Sequence, residues 1–155
     1  MLDNINDTAT REIRMTRILN APVELVWEAW TNPSHIVNWW GPNGFTNTMH
    51  KMDFRESGEW EFTMHGPDGT NYPNRNIFKE IVPFEKISFQ HFNPNFTTTI
   101  LFQSLGEKTQ IDWSMLFDTA EMRDIVVKAH GADEGLKQNL EKLDTYLLII
   151  IKNQP

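Results

Sequence analysis

Cysteine is missing from all 155 residues of the chain. This absence excludes disulfide bonds, thiolate-bound zinc and a cysteine nucleophile. A long apolar run is also missing, because the longest one, LLIII at 147–151, is far too short to cross a bilayer. The first ten residues lack the apolar centre of a signal peptide. We therefore predict a cytoplasmic protein without membrane insertion.

An excess of positive charge is missing too. The chain has 14 Lys and Arg residues against 21 Asp and Glu residues, and its formal net charge is −7. The basic residues are scattered along the sequence and form no cluster. Proteins that bind nucleic acid or anionic membranes usually carry a basic patch. The composition therefore predicts that nucleic acid is not a partner.

Sequence patterns for metal binding and nucleophilic catalysis are also absent. The five histidines are at positions 35, 50, 65, 91 and 130, and none of them belongs to a closely spaced metal-binding motif. There is no Gly-x-Ser-x-Gly motif, which would place a serine nucleophile on a sharp turn. We therefore expect neither a metal nor a cofactor.

Two titratable residues are weak candidates for acid–base catalysis. His91 shares strand parity with the apolar Phe89. Glu80 shares parity with Phe78, although Ile77 favours the opposite face. An imidazole or carboxylate that points inward has to be hydrogen-bonded or shift its pKa. Each residue can act as an acid or base, orient a polar ligand atom, or serve only as a hydrogen-bonded structural group.

Periodicity divides the chain into helical and strand-rich parts. Partial alternation at 11–19 predicts a first strand, and apolar residues at 23, 26, 27 and 30 predict an amphipathic helix. From position 45 onward, alternation and short turns predict about six strands in an antiparallel meander. Leucines at 136, 140, 143 and 147 then form the apolar stripe of a long helix over about 133–151.

These elements predict an α+β fold. In it, a curved antiparallel sheet of six to seven strands wraps around a long C-terminal helix, with two short helices after the first strand. We expect one domain over residues 11–152 and a flexible tail over residues 1–10. One helix cannot cover the whole inner surface of a wide curved sheet, so a cavity is expected beside it.

Two adjacent tryptophans stand at the end of the second short helix. Asn32 and Pro33 are typical of a helix start, and Gly41 is typical of a left-handed helix end. Helical spacing continued to that end places Trp40 on the apolar face, as a packing residue. It places Trp39 off that face and nearer the turn, so Trp39 is predicted to form a lip of the cavity.

Aromatic residues make up 12 % of the chain and include six Trp and ten Phe. They can either fill a bulky core or form the walls of a cavity, and composition leaves both possibilities open. Ligand pockets are mostly apolar with few polar groups. The residues predicted to line a ligand-binding cavity are Trp39, Trp60, Phe62, Met64, Phe78, Phe89, His91, Phe102, Trp113, Met115, Leu136, Leu140 and Leu143.

Three segments of the sequence resemble a known family. They are TRILNAPVELVWEAWTNPSHIVNWWGPNGFT at 16–46, DFRESGEWEF at 53–62 and GADEGLKQNLEKLDTYL at 131–147. In this order they are similar to the START-like helix-grip (SRPBCC) superfamily, and within it to homologues of the activator of the 90-kDa heat shock protein ATPase. The resemblance implies a helix-grip fold with a deep apolar cavity between the sheet and the C-terminal helix.

The resemblance implies three functions, and the sequence leaves all of them open. The first is binding of a small hydrophobic molecule, such as a lipid, a polyketide or a flavonoid-like compound. The second is a regulatory module that interacts with a chaperone, since the relative that names the family is a co-chaperone. Only ten residues precede Arg11, so we expect no separate N-terminal domain of the co-chaperone type. The third is an enzyme of the cyclase or hydrolase type that uses the same cavity.

Overall fold

A computed structural model describes residues 9–153 of the chain. The strands are β1 (Glu12–Leu19), β2 (Thr46–Met52), β3 (Glu59–His65), β4 (Asn71–Val82), β5 (Lys86–His91), β6 (Phe96–Ser104) and β7 (Thr109–Phe117). The helices are α1 (Val23–Thr31), α2 (Pro33–Ile36), α3 (Ala120–His130) and α4 (Ala132–Lys152). Most of the tail predicted for residues 1–10 lies outside the described residues.

The strands form one seven-stranded antiparallel sheet in the order β1-β7-β6-β5-β4-β3-β2. Strands β2 to β7 follow one another as a meander, and β1 joins the sheet beside β7. The curved sheet, the long C-terminal helix and the short helices together confirm the predicted α+β helix-grip fold. No helix within residues 9–153 has both the length and the apolar character needed to cross a bilayer.

Helices α1 and α2 begin where the residue types predict. Pro22 precedes α1 in an extended conformation, and the Asn32 side chain caps α2 by accepting a hydrogen bond from the Ser34 N–H at 2.9 Å. Helix α2 is only four residues long, and the chain then passes through a turn to Gly41, which has a φ of 96°. The helical spacing assumed from the sequence therefore stops before it reaches Trp39 and Trp40.

Helix α4 packs its apolar stripe against the interior of the domain. Leu136, Leu140, Leu143 and Leu147 are all buried along its 21 residues. Asn139 is buried in the same stripe. Helix α3 precedes α4 and has no buried residue of its own, and Gly131 joins the two helices with a φ of 58°. Helix α3 therefore lies at the surface, while the apolar stripe of α4 lies in the core.

Strand β4 is longer than the sequence predicts. The sequence indicates a strand only over 77–82, because the preceding NYPNRN is polar and contains a proline. In the structure this segment pairs with β3, and Pro73 stands opposite Thr63. The additional half of β4 brings three asparagines, Asn71, Asn74 and Asn76, into the sheet.

Candidate functional site

A cavity of about 220 Å³ lies between the inner face of the sheet and the beginning of α4. Its sheet wall is formed by Phe62, Met64, Asn74, Asn76, Phe89, His91, Phe96, Thr98, Trp113 and Met115. Its other walls are formed by Trp40, Gly41, Pro42, His130, Ala132, Gly135, Leu136 and Asn139. The cavity therefore occupies the interior near the junction of α3 and α4, where one helix leaves part of the sheet uncovered.

Strand pairing places the sheet residues of the cavity on one face. Residues directly opposite each other in adjacent strands share a face of the sheet. One row across β3 to β6 consists of Trp60, Asn76, His91 and Phe96. The next row across β4 to β7 consists of Phe78, Phe89, Thr98 and Met115. The polar groups of the cavity are thus surrounded by aromatic and sulfur-containing side chains.

The structure places the thirteen predicted cavity residues in two groups. Those that line the cavity are Phe62, Met64, Phe89, His91, Trp113, Met115 and Leu136. Those that are buried in the core without lining it are Trp39, Trp60, Phe78, Phe102, Leu140 and Leu143. The cavity is therefore smaller than the predicted one and lies toward one end of the helix stripe.

Trp39 and Trp40 differ in how far they follow the prediction. Trp39 is 0 % exposed, its ring packs against Trp30 at 4.8 Å, and its indole N–H donates to the Ala29 carbonyl at 3.0 Å, so it forms no lip of the cavity. Trp40 packs against the core as expected, and it also lines the cavity, where its ring stacks on Trp113 at 5.3 Å. The expectation for Trp39 is wrong because α2 ends at Ile36 and the residues that follow form a turn.

Glu80 does not face the interior. Its exposed carboxylate pairs with the Lys86 ammonium at 2.7 Å. The register between β4 and β5 shifts between Phe78 and Glu80, and this irregularity breaks the alternation from which the inward position was predicted. Glu80 therefore lies outside the cavity and is not available to act on a ligand there.

His91 lines the cavity and has both ring nitrogens near oxygen atoms. Its Nδ1 donates to the Pro94 carbonyl at 2.8 Å, since a carbonyl only accepts. Its Nε2 lies 2.9 Å from the Asn74 side-chain oxygen, and its ring stacks on Phe96 at 4.3 Å. Burial lowers the pKa of His91 below its usual value, while the hydrogen bond to Pro94 raises it. The ring is therefore held in place by its neighbours.

Asn139 ties the loop before β2 to helix α4. Its side chain accepts a hydrogen bond from the Gly41 N–H at 3.1 Å and donates one to the Trp39 carbonyl at 2.8 Å. Nearby, the Gln138 side chain accepts from the Asn43 N–H at 3.0 Å. These bonds fix the loop that forms one wall of the cavity.

Asn76 is the opposite case, a buried amide without a partner. It is 1 % exposed, and its side-chain oxygen accepts no hydrogen bond from any residue that the structure describes. An unpaired buried polar group of this kind destabilises a fold by about 1–3 kcal/mol. Asn76 is not among the predicted cavity residues, because the polar, proline-containing segment before 77 conceals the start of the strand, although alternation counted back from Phe78 reaches it.

Charged side chains are absent from the cavity wall. Within the described part of the chain, no Asp, Glu, Lys or Arg lines the cavity, and His91 and His130 are its titratable residues. No group of three or more His, Asp or Glu residues in 9–153 is arranged to hold a metal ion. The described wall of the cavity therefore carries no fixed charge.

Comparison with known proteins gives one family match and many structural likenesses. Residues 20–148 match the sequence model of the family described as Activator of Hsp90 ATPase homolog 1-like protein. A crystal structure from Nitrosomonas europaea is 24 % identical with a TM-score of 0.85, covering 94 % of this chain and 99 % of that one. A crystal structure from Mycobacterium smegmatis is 25 % identical with a TM-score of 0.83, covering 93 % and 95 %.

A third solved structure is named after the same family. It is the solution structure of an AHSA1-like protein from Aeromonas hydrophila, 17 % identical with a TM-score of 0.71, covering 88 % of this chain and 93 % of that one. No curated protein sequence matches the chain. The family match and the shared fold support a ligand-binding or regulatory module in general terms.

Proposed function

The chain belongs to the family of Activator of Hsp90 ATPase homolog 1-like proteins, and from this premise we propose that it binds one small, neutral, aromatic molecule in the cavity beside α4. The observation that carries the proposal is a cavity walled by aromatic rings and without a charged side chain other than histidine among the described residues. Apolar walls with a few polar groups are typical of small-molecule sites.

The volume of the cavity supports a ligand of one or two rings. A cavity of about 150 Å³ in another protein accepts benzene. The cavity here is about 220 Å³. A sterol or a long-chain lipid would need the walls to move apart, whereas a two-ring aromatic compound would not. The proposed ligand is therefore smaller than most of the lipids and polyketides that the resemblance implies.

The two faces of strand β6 provide a matched test of the site. Thr98 is buried and lines the cavity, while the neighbouring Thr99 points to the other face of the sheet. We expect Thr98→Phe to fill the cavity and abolish binding of 2-naphthol, and Thr99→Phe to leave binding unchanged. Isothermal titration calorimetry measures both affinities, and thermal unfolding verifies that both variants are folded. Equal binding by folded Thr98→Phe would contradict the proposed site.

A chaperone-interacting role is the second candidate, and it is supported by the name of the family alone. The apolar side chains that the structure exposes are scattered over separate elements, for example Ile18, Leu101 and Ile125. The test is whether the purified chain changes the ATPase rate of a 90-kDa heat shock protein. An unchanged rate at saturating protein would remove this candidate.

An enzymatic role rests on His91, because Glu80 lies outside the cavity. His91 has a half-buried ring beside the cavity, but the structure places no carboxylate against it among the described residues. Such an isolated imidazole can transfer a proton to a bound molecule without further groups. Proton transfer by His91 is therefore the third proposed role. The cytoplasmic location stays a prediction.

A further inference from the structure

We infer that Asn76 recognises a hydroxyl group on the aromatic ligand, so that the cavity selects hydroxylated rings over purely hydrocarbon rings of the same shape. The inference rests on the proposed function and names the class of molecule that the same cavity takes. It is carried by one observation: a buried amide in the cavity wall whose oxygen has no hydrogen bond from any described residue.

The neighbours of Asn76 in the sheet do not supply the missing partner. Trp60 is directly opposite on β3, yet its indole N–H also lacks a partner, so the two groups do not meet. The Trp60 ring is held parallel to Phe78 at 5.9 Å and lies edge-on to Phe89 at 5.2 Å. A rotation that brought its N–H to Asn76 would break these ring contacts.

His91 is directly opposite Asn76 on the other side, in β5. Its two nitrogens lie 2.8 Å from the Pro94 carbonyl and 2.9 Å from the Asn74 oxygen. Because Nδ1 donates to the Pro94 carbonyl, the neutral ring has no second N–H to offer to the Asn76 oxygen. Because neither cross-strand neighbour bonds to Asn76, the donor that we infer for its oxygen is a molecule inside the cavity.

A hydroxyl group fits this position for chemical reasons. An amide oxygen needs a donor, and a hydroxyl both donates and accepts, so it can satisfy either end of a carboxamide. The absence of Asp, Glu, Lys and Arg from the described wall disfavours a charged donor such as an ammonium group. The aromatic walls favour a ring as the carrier of the hydroxyl.

Other unpaired polar atoms in the interior do not carry the same information. Trp113 also lines the cavity and has an unpaired indole N–H. Trp30 has an unpaired N–H as well, and it does not line the cavity. An unpaired indole is thus not specific to the site in this chain. Asn47, outside the cavity wall, also has an unpaired oxygen, but its amide nitrogen donates to the Val37 and Trp40 carbonyls. Asn139, the other buried asparagine of the cavity wall, bonds to the backbone through both ends of its amide.

The test compares 2-naphthol with 2-methylnaphthalene, in which a methyl group replaces the hydroxyl with little change of shape. The ratio of the two dissociation constants is measured for the wild-type chain and for Asn76→Leu. Dividing one ratio by the other cancels the different affinities of the two compounds for water. We expect the preference for 2-naphthol to be about 3- to 10-fold greater in the wild type, as one hydrogen bond predicts.

Thr99→Val is the matched control, because it removes a hydroxyl from the other face of β6, outside the cavity. It is expected to keep the wild-type preference. A preference that survives in Asn76→Leu, or that is lost to the same extent in Thr99→Val, overturns the inference while both compounds still bind, and the proposed function then stands. If neither compound binds to the wild type, the proposed function and the inference both fail.

A measurement on the wild-type chain avoids any dependence on the folding of Asn76→Leu. The side-chain amide of Asn76 gives its own pair of NMR signals. These signals should move clearly more with 2-naphthol than with 2-methylnaphthalene, because only the first compound can bond to the amide. Equal shifts with both compounds overturn the inference.

Discussion

The interior of this domain is filled at one end and hollow at the other. At the filled end, under α1 and the middle of α4, Trp30, Trp39, Leu140 and Leu143 pack tightly together and are at most 2 % exposed. At the hollow end, near the start of α4, Asn76 faces a cavity without a partner. The same sheet and the same helix thus build a core and a site, and the difference depends on which side chains they present.

The filled end is packed with large rings, and two of its buried polar groups bond to the backbone, although the Trp30 indole N–H has no partner among the described residues. Trp39 donates to the Ala29 carbonyl at 3.0 Å, and the buried Thr109 hydroxyl donates to the Ala21 carbonyl at 2.8 Å. The first bond joins the turn after α2 to α1, and the second joins β7 to the segment just before α1. At the hollow end, the inner face of the sheet includes smaller and more polar residues, such as Thr98 and Asn76. Stability is therefore expected to come mainly from the filled end.

The largest expected effect contrasts two leucines of α4. Leu140 is fully buried at the filled end, so Leu140→Ala should lower the free energy of unfolding by about 2–5 kcal/mol. Leu136 lines the cavity, and we expect Leu136→Ala to cost about 2 kcal/mol, near the bottom of that range. Urea denaturation measures both losses. Equal losses would contradict the division of the interior into two ends.

The next effect contrasts the two buried asparagines of the cavity wall. Asn139→Leu leaves the Gly41 N–H and the Trp39 carbonyl unpaired, and we expect a loss of about 2–4 kcal/mol. Asn76→Leu removes an amide oxygen that has no partner, so the unliganded protein should keep its stability or gain up to about 1 kcal/mol. The same denaturation experiment serves both variants, and a marked loss in Asn76→Leu would show that Asn76 has a structural role.

The smallest effect concerns the pH dependence of stability at His91. Burial lowers the pKa of the folded His91 below the usual value of 6.5. The unfolded chain therefore binds the proton first as the pH falls through 6.5, and the folded state loses stability down to the folded pKa. His91→Phe removes this contribution, so its stability should fall less between pH 7.5 and pH 5.5 than that of the wild type.

The other four histidines are present in both proteins, so the difference between the two slopes isolates His91. Denaturant unfolding at the two pH values gives these slopes. An identical loss of stability in the wild type and the variant would mean that the ring is not desolvated by its surroundings. The hollow end would then be open to water and less suited to an apolar ligand.

Sequence periodicity was sufficient for the fold because the core residues follow it strictly. Trp60 and Phe62 alternate along β3, and Leu136, Leu140 and Leu143 recur at helical spacing, as the structure has them. Such patterns depend on local geometry alone. The antiparallel meander and the long C-terminal helix followed from these patterns together with the short turns and the family resemblance, whereas the pairing of β1 with β7 was not predicted.

The site was harder to predict, because its details depend on where regular geometry stops. Trp39 and Trp40 lie beyond the end of a four-residue helix, and Glu80 lies after a shift in strand register. Asn76 belongs to the first half of β4, which is polar and contains a proline. This segment forms a strand because it pairs with β3. Tertiary packing fixed the positions of Trp39, Trp40 and Glu80. Alternation counted back from Phe78 reaches Asn76, but only once the strand is known to extend that far.

The most direct test of the proposed cavity site is the methyl spectrum of the methionines during titration with 2-naphthol. Met64 and Met115 line the cavity, whereas Met49, Met52 and Met122 do not. We predict saturable shifts of the Met64 and Met115 methyl signals, caused by the ring of the ligand, with the other three nearly unchanged. Signals that do not move at saturating 2-naphthol, or that move only at Met49, Met52 or Met122, would contradict a ligand site in this cavity.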